Sequence, residues 1–188
     1  VGDPLKPSVF DFYAITKIAG ERAVLESKIK HWASLRQTFI MTTDDLMDPI
    51  MFHQPINSFM ENNTKEDAGR GLINCLDIPE DSDFWRRVYN MAGGPSCRTT
   101  FYEMMKRALA INGLCFENAT ERKWFALRNF HMQFYEDSYI LNEYINNWGQ
   151  SNEYYYNSLA RDRSLGMKIL SFLCMKIPLF RNQVEKAT

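Results

Sequence analysis

The feature that most constrains the fold is a change in hydrophobic patterning near Leu114. Before that point, β-branched and aromatic segments at 32–42 and 87–92 alternate with helix-like segments at 12–29 and 64–76, and after it the pattern is helical. This alternation predicts an α/β fold with parallel strands joined by crossover helices. Because two strands cannot form a stable doubly wound sheet alone, we expect further sequence to supply the remaining strands.

Local capping signals support these boundaries. Thr64 is followed three residues later by an acid, which predicts a helix N-terminus. Thr99 or Thr100 is expected to cap the next helix, which ends at Gly113. The stretch 43–63 is rich in proline, aspartate and asparagine, so we predict irregular chain there, with short helices at most.

The later part of the chain is predicted to be helical. Apolar residues from Ile140 to Trp148 follow the spacing of an amphipathic helix. The segments 153–163 and 165–177 show the same helical pattern. The aromatic and polar residues of 130–137 could line a pocket, but we favour a helix N-terminus there with Asp137 as cap.

Composition narrows the functional classes. A chain of 188 residues with 45% apolar content can fold as one or two units, and its net charge of −1 gives no general attraction to nucleic acid. Cysteines and histidines lack the spacing of a disulfide framework or a metal site, so we expect no metal and a reducing, cytoplasmic location. These residues are Cys75, Cys97, Cys115, Cys174, His31, His53 and His131.

The longest apolar concentration runs from Leu165 to Phe180. It contains Lys168, Lys176 and Pro178, which makes it too short and too charged to span a bilayer. We therefore expect a soluble helix and no membrane partner. The alternative is a role at a membrane surface.

Tyr13 and Lys17 are the residues with the clearest chemical potential. They lie four apart at the start of a predicted helix, so one helical turn places both side chains on the same face. A tyrosine hydroxyl normally ionises near pH 10, and acid–base work near neutrality requires stabilisation of the phenolate by about 4 kcal/mol. A neighbouring ammonium and the positive end of a helix can supply much of this. A tyrosine ring packed on a lysine stem is the simpler interpretation of the spacing alone.

The surroundings of this pair resemble a known family. The sequence PSVFDFYAITKIAGE, residues 7–21, resembles the active-site segment of extended short-chain dehydrogenases/reductases of the NAD-dependent epimerase/dehydratase type. Ser34-Leu35-Arg36 looks like the strand that follows in the family, 64–76 like its next helix, and 88–94 like its later strand and glycine turn. These pieces occur in the family's order and cover about 4–113.

The resemblance implies a redox or epimerase-type site. Tyr13 would act as general acid/base on a hydroxyl or carbonyl, and Lys17 would stabilise it and bind the nicotinamide ribose. Gln37 and Thr38 would occupy the place of further cofactor contacts, although the family's usual Tyr-Gly-Pro is replaced there by other residues. The family's catalytic Ser or Thr would lie upstream of Val1.

The glycine-rich phosphate turn of a dinucleotide site does not occur in this sequence. The chain therefore resembles the C-terminal portion of a Rossmann-type, NAD(P)-binding fold, with 1–113 as the core and 114–188 as a mainly helical substrate-binding lobe. NAD or NADP would be the cofactor, and the substrate a hydroxyl- or carbonyl-bearing small molecule such as a nucleotide sugar. We expect the isolated chain to be inactive.

The expected partner is an N-terminal dinucleotide-binding half, in the same or a separate chain, because the sequence opens without an initiator methionine. An exposed sheet edge would also favour homo-oligomers. The alternative from another class is a non-catalytic helical domain that mediates interaction or dimerisation.

Overall fold

The computed structural model of the protein describes residues 12–43, 52–127 and 134–187. Helices and short strands are interleaved in the first part of the chain, and the described residues after 100 form helices and no further strand. The helices are α1 (Phe12–Leu25), α2 (Lys65–Asn74), α3 (Phe101–Ile111), α4 (Phe116–Ala119), α5 (Ser138–Ile145), α6 (Asn152–Asp162), α7 (Leu165–Lys176) and α8 (Pro178–Ala187). The strands are β1 (Ala33–Gln37), β2 (Ile40–Met41), β3 (Phe59–Glu61), β4 (Asn63–Thr64), β5 (Arg87–Met91) and β6 (Arg98–Thr100).

The strands form three two-stranded sheets. β1 and β5 are parallel, with Ala33 opposite Arg87 and Gln37 opposite Met91. β2 and β4 are also parallel, whereas β3 and β6 are antiparallel. The predicted α/β class and the parallel pairing of the two main strands are confirmed.

The single strand predicted at 32–42 is divided into β1 and β2. The backbone N–H of Thr38 still donates to the carbonyl of Met91 at 3.0 Å, whereas the carbonyl of Phe39 accepts from Asn63 at 2.9 Å. The chain thus changes its partner from β5 to β4 within two residues. Hydrophobic character continues across this change, which is why the sequence pattern does not reveal it.

The prediction of irregular chain with at most short helices over 43–63 was wrong at its end. Phe59–Glu61 forms β3, and Asn63 opens β4. Both strands form by pairing with segments that are distant in sequence: β3 pairs with β6, and β4 pairs with β2. Residues 44–51 of this stretch lie outside the described residues.

The capping predictions are confirmed at two helices. The Thr64 side chain accepts from the N–H of Asp67 at the start of α2, and Thr100, rather than Thr99, accepts from Glu103 at the start of α3. Gly113 follows α3 with φ of +75°, a left-handed conformation that favours glycine.

Two predicted helices end earlier than expected. α1 ends at Leu25 instead of continuing to 29. α5 ends at Ile145 because Asn146 adopts a left-handed conformation with φ of 43°. Trp148 therefore lies beyond the helix, and its indole N–H donates to the carbonyl of Ala92 at 2.9 Å.

Three apolar clusters form the core, and the later helices contribute to them. One cluster joins α3 to α4 and to Met60 of β3, a second places α6 against α3 and Met41, and a third packs α5 against β5. Leu141 and Ile145 thus share a cluster with Tyr89 and Met91. The predicted division at 113 separates sequence patterns, whereas the apolar clusters cross it.

Within the described ranges, no helix has both the length and the apolar character needed to cross a membrane.

Candidate functional site

α1 contacts the rest of the protein along one stripe of half-buried residues. These are Ala14, Ile18, Glu21 and Val24, spaced three or four apart. The periodicity of this segment predicted the helical state of α1, but the apolar side chains of Ile15 and Leu25 are exposed. The side of α1 that carries them has no covering among the described residues.

An ion pair holds α1 against β1. The Glu21 carboxylate accepts hydrogen bonds from Nη2 and Nε of Arg36 at 2.7 and 2.9 Å, and from the hydroxyl of Ser34 at 2.8 Å. Ser34 and Arg36 are two apart on β1 and therefore present their side chains to the same side of the strand. The hydrogen bond from Arg36 lowers the pKa of Glu21 below its ordinary value, despite the opposing effect of burial.

Tyr13 and Lys17 lie together on the first turns of α1, as the spacing predicted. The Lys17 ammonium is 5.3 Å from the centre of the Tyr13 ring, which is cation–π distance. Tyr13 is 63% exposed. The ammonium thus contacts the tyrosine ring, and both side chains are accessible to a ligand that approaches this face of α1.

Gln37 and Thr38 mark the carboxyl end of β1. Oε1 of Gln37 and Oγ1 of Thr38 are buried, and neither has a hydrogen-bond partner among the described residues. Buried polar atoms in folded proteins nearly always have a partner, which can be a ligand or a water molecule. These two positions are the ones at which the family resemblance implies cofactor contacts.

The connection between α1 and β1 indicates how Tyr13 and Lys17 lie relative to the carboxyl end of β1. Only residues 26–32 separate α1 from β1, so helix and strand run in opposite directions. Tyr13 lies eight residues before Glu21, about 12 Å along the helix axis at 1.5 Å per residue. Because Glu21 contacts β1 at Ser34 and Arg36, we infer from this opposite direction that Tyr13 lies toward the carboxyl end of β1, where Gln37 and Thr38 follow.

Further unpartnered amide groups surround the same strand end. Oδ1 of Asn62 and both amide atoms of Asn63 are buried without a described partner, as is Oδ1 of Asn147. Backbone contacts locate them, since Asn62 O accepts from Gly93 N at 2.7 Å and Nδ2 of Asn147 donates to Ala92 O at 3.1 Å. The sequence analysis missed these asparagines, because the strand that precedes Asn62 was not predicted from the sequence.

The glycine turn after β5 permits this close approach. A Cβ on Gly93 would lie 2.8 Å from the carbonyl oxygen of Asn62 and 2.6 Å from Sγ of Cys97. Gly94 has φ of +77°, and its Cβ would lie 2.5 Å from the Trp148 ring. Only glycine fits at either position without displacement of its neighbours.

Two surface cavities lie elsewhere. One of about 250 Å³ is lined by residues of β6, α3 and α6, including Arg98, Arg107 and Glu153, and one of about 330 Å³ is lined by 148–151 and Ser96. Arg107 and Glu153 pair with each other, so the first cavity presents no unpaired charge from them. Neither cavity includes a residue of α1 or β1.

Two buried carboxylates have structural partners. Oδ2 of Asp67 accepts from the backbone N–H of Gly149 and of Gln150 at 3.1 and 2.8 Å, and Oδ1 accepts from Arg70. Glu61 accepts from Arg98 at 2.9 Å, from the Ser138 hydroxyl at 2.6 Å and from Gly94 N. Both acids join α2 or β3 to the later segment; the sequence analysis used Asp67 only as a signal for the start of α2, and it did not single out Glu61.

The described residues contain no group of His, Cys, Asp and Glu side chains able to hold a metal ion. The His31 ring contacts Trp85 at 5.5 Å between centres. His131 lies outside the described residues. The predicted cap Asp137 precedes α5, but its side chain accepts from Asn90 at 2.9 Å instead of capping the helix.

Comparison with known proteins gives no relative from which a role could be carried over. No protein-family model matches this sequence, and no curated protein matches it at a significant level. The functional inference therefore depends on α1, the end of β1 and the sequence resemblance around them.

Proposed function

We propose that the chain is part of an NAD(P)-dependent oxidoreductase, epimerase or dehydratase that acts on a hydroxyl- or carbonyl-bearing small molecule. In this proposal it forms the C-terminal portion of a Rossmann-type fold, with Tyr13 and Lys17 as the acid/base pair. The observation that carries the proposal is the side-by-side placement of Tyr13 and Lys17 on the accessible face of α1.

The end of β1 supports the proposal chemically. Oγ1 of Thr38 and Oε1 of Gln37 are buried polar atoms without a described partner, and a nicotinamide carboxamide or ribose offers hydrogen-bonding groups that suit them. Ligands of parallel α/β sheets bind outside the carboxyl ends of strands, which is where these residues lie. The residues present therefore fit the nicotinamide portion of the cofactor.

The residues of this chain do not include a binding site for the pyrophosphate of the cofactor, because the sequence has no glycine-rich turn after a strand. An N-terminal half would supply that turn and the further strands that would pair with β1. The exposed side of α1, which carries Phe12, Ile15 and Leu25, is the kind of surface such a half would cover.

The proposed chemistry assigns separate tasks to the two residues. The bound cofactor would accept or deliver a hydride at the substrate carbon. The Tyr13 hydroxyl would exchange a proton with the substrate oxygen, and the Lys17 ammonium, which lies beside the Tyr13 ring, would bind the nicotinamide ribose. Glu21 would act as a positioning residue, because it holds α1 to β1 through Arg36.

Titration of NADH and NADPH tests the proposal by nicotinamide fluorescence and calorimetry. The chain should bind neither alone, and should bind one of them when joined to the sequence that precedes it in its gene. A matched titration of the joined protein carrying Lys17→Met should show weaker binding, whereas the exposed Lys28→Met should bind like the unchanged protein. Absence of binding by the joined protein would instead favour a non-catalytic interaction domain.

A further inference from the structure

α7 presents most of its large apolar side chains to solvent and its small ones to the protein, while Leu170 and Leu173 are half-buried. Leu165, Ile169 and Phe172 are 75, 53 and 54% exposed, and their spacing places them on one face of the helix. Ser171 and Cys174 are buried on the opposite face. This is the reverse of the usual arrangement for a helix at the surface of a globular protein.

The inward face is set by close packing at the end of α3. A Cβ on Gly113 would lie 2.5 Å from the carbonyl oxygen of Ser171 and 2.9 Å from Cβ of Cys174. Arg163 reinforces this contact by donating to the carbonyl of Ile111 and to the hydroxyl of Ser171. The orientation of α7 is therefore determined by several specific contacts, and the apolar face is turned outward as a result.

Charge on this segment has a single sign. The sequence from Arg163 to Val184, which lies between Asp162 and Glu185, contains four basic residues and no acidic one, while the whole chain carries a net charge of −1. Lys168 and Lys176 are exposed on α7 beside Ile169 and Phe172. Long lysine stems allow an ammonium to reach a polar layer while neighbouring apolar side chains enter a less polar one.

We propose that the outward face of α7 docks on an anionic lipid surface. The combination of exposed large apolar side chains with interspersed cations and no acids is typical of helices that lie in the plane of a membrane interface. With 12 residues, α7 is about 18 Å long, so it meets the bilayer along its side. Leu179, exposed at the start of α8, extends the apolar surface. This proposal does not depend on the function proposed for Tyr13 and Lys17.

Flotation of the full chain with lipid vesicles tests it. The chain should bind vesicles of phosphatidylcholine containing about one-third phosphatidylglycerol and should bind pure phosphatidylcholine at least ~10-fold less. About 0.5 M NaCl should weaken the binding to anionic vesicles, because salt screens the attraction. Equal binding to both kinds of vesicle, or to neither, would contradict the proposal.

Paired variants identify the face. Ile169→Gln with Phe172→Gln should reduce binding at least ~10-fold, because the apolar contribution is removed. The matched control is Ile73→Gln with Leu76→Gln, which removes two exposed apolar side chains from the α2 side and should bind like the unchanged chain. Circular dichroism should show both variants folded, since all four residues are exposed.

A second copy of the chain could cover the same face, and light scattering separates the two cases. Under the proposal, the chain without lipid has the same mass with and without the Ile169→Gln and Phe172→Gln changes. If the unchanged chain is a dimer that these changes dissociate, and it does not bind vesicles, the outward face of α7 is a self-association interface and the proposal is wrong. Lys168→Gln with Lys176→Gln should reduce the salt dependence of vesicle binding, and unchanged salt dependence would also contradict the proposal.

Discussion

The Arg36 guanidinium approaches the Glu21 carboxylate at two points, with Nη2–Oε1 at 2.7 Å and Nε–Oε2 at 2.9 Å. The two side chains are 18 and 15% exposed, so solvent screens this ion pair less than one on the surface. It is the described charge pair that joins α1 to β1, and the position of Tyr13 and Lys17 relative to the strand depends on it.

Glu21→Gln should destabilise the protein by about 1–2 kcal/mol at pH 7, because one charge of a partly buried pair is lost. Chemical denaturation measures this change. The exposed ion pair between Arg22 and Glu26 provides the control. Glu26→Gln should change the free energy of unfolding by less than about 0.5 kcal/mol. Equal effects of the two variants would contradict a structural role for Glu21.

The same pair predicts a dependence of stability on pH. Because the pKa of Glu21 is lower in the folded than in the unfolded protein, its contribution is present above the ordinary glutamate pKa of about 4.3. The contribution is lost as pH falls through the lowered folded pKa. Denaturation midpoints of the unchanged chain and of Glu21→Gln should therefore differ at pH 7 and converge below pH about 4. A constant difference across this range would show that the pKa is not shifted.

Tyr13→Phe should lower kcat of the joined protein by about 10²–10⁴-fold, because the substrate loses its proton donor or acceptor. The fold should remain intact, since Tyr13 is largely exposed. Tyr139→Phe, at an exposed tyrosine of α5, is the matched control and should leave kcat unchanged. Steady-state kinetics with NAD(P) as the second substrate provides the measurement, and full activity of Tyr13→Phe would remove Tyr13 from the mechanism.

Gly94→Ala should destabilise the protein by about 2–4 kcal/mol, because the residue has φ of +77° and its new Cβ would meet the Trp148 ring. Gly69→Ala is the matched control. Nothing lies within 4 Å of a Cβ at Gly69, which is inside α2, so alanine there should stabilise by about 0.5–1 kcal/mol. Thermal unfolding of the two variants should shift in opposite directions, and a shared direction would contradict the geometry of the Gly94 turn.

Asp67→Asn should cost about 2–4 kcal/mol, since the buried carboxylate accepts from Arg70 and from the backbone of Gly149 and Gln150. An amide replaces one acceptor by a donor and leaves an N–H facing an N–H. Asp77→Asn, at an exposed aspartate, should change stability by less than about 0.5 kcal/mol. If Asp67→Asn unfolds at the same denaturant concentration as Asp77→Asn, the carboxylate does not join α2 to the 149–150 segment.

Local sequence signals determined much of the secondary structure. Thr64 and Thr100 cap their helices because a threonine hydroxyl can satisfy an N–H three residues on, a contact that needs no remote partner. The helical state of α1 and the closeness of Tyr13 and Lys17 follow equally from 3.6-residue periodicity. The functional interpretation of that pair, with NAD(P) as cofactor, stays a prediction.

Only the tertiary structure decided which surfaces meet. The partner exchange at Thr38, the strand at Phe59–Glu61 and the asparagines around the end of β1 depend on pairing with residues far along the chain. The same holds for α7, which the sequence predicted as a helix without indicating which of its faces is buried. Packing of Ser171 and Cys174 against the Gly113 turn directs Ile169 and Phe172 outward, and periodicity cannot reveal that choice because it identifies faces without identifying their neighbours.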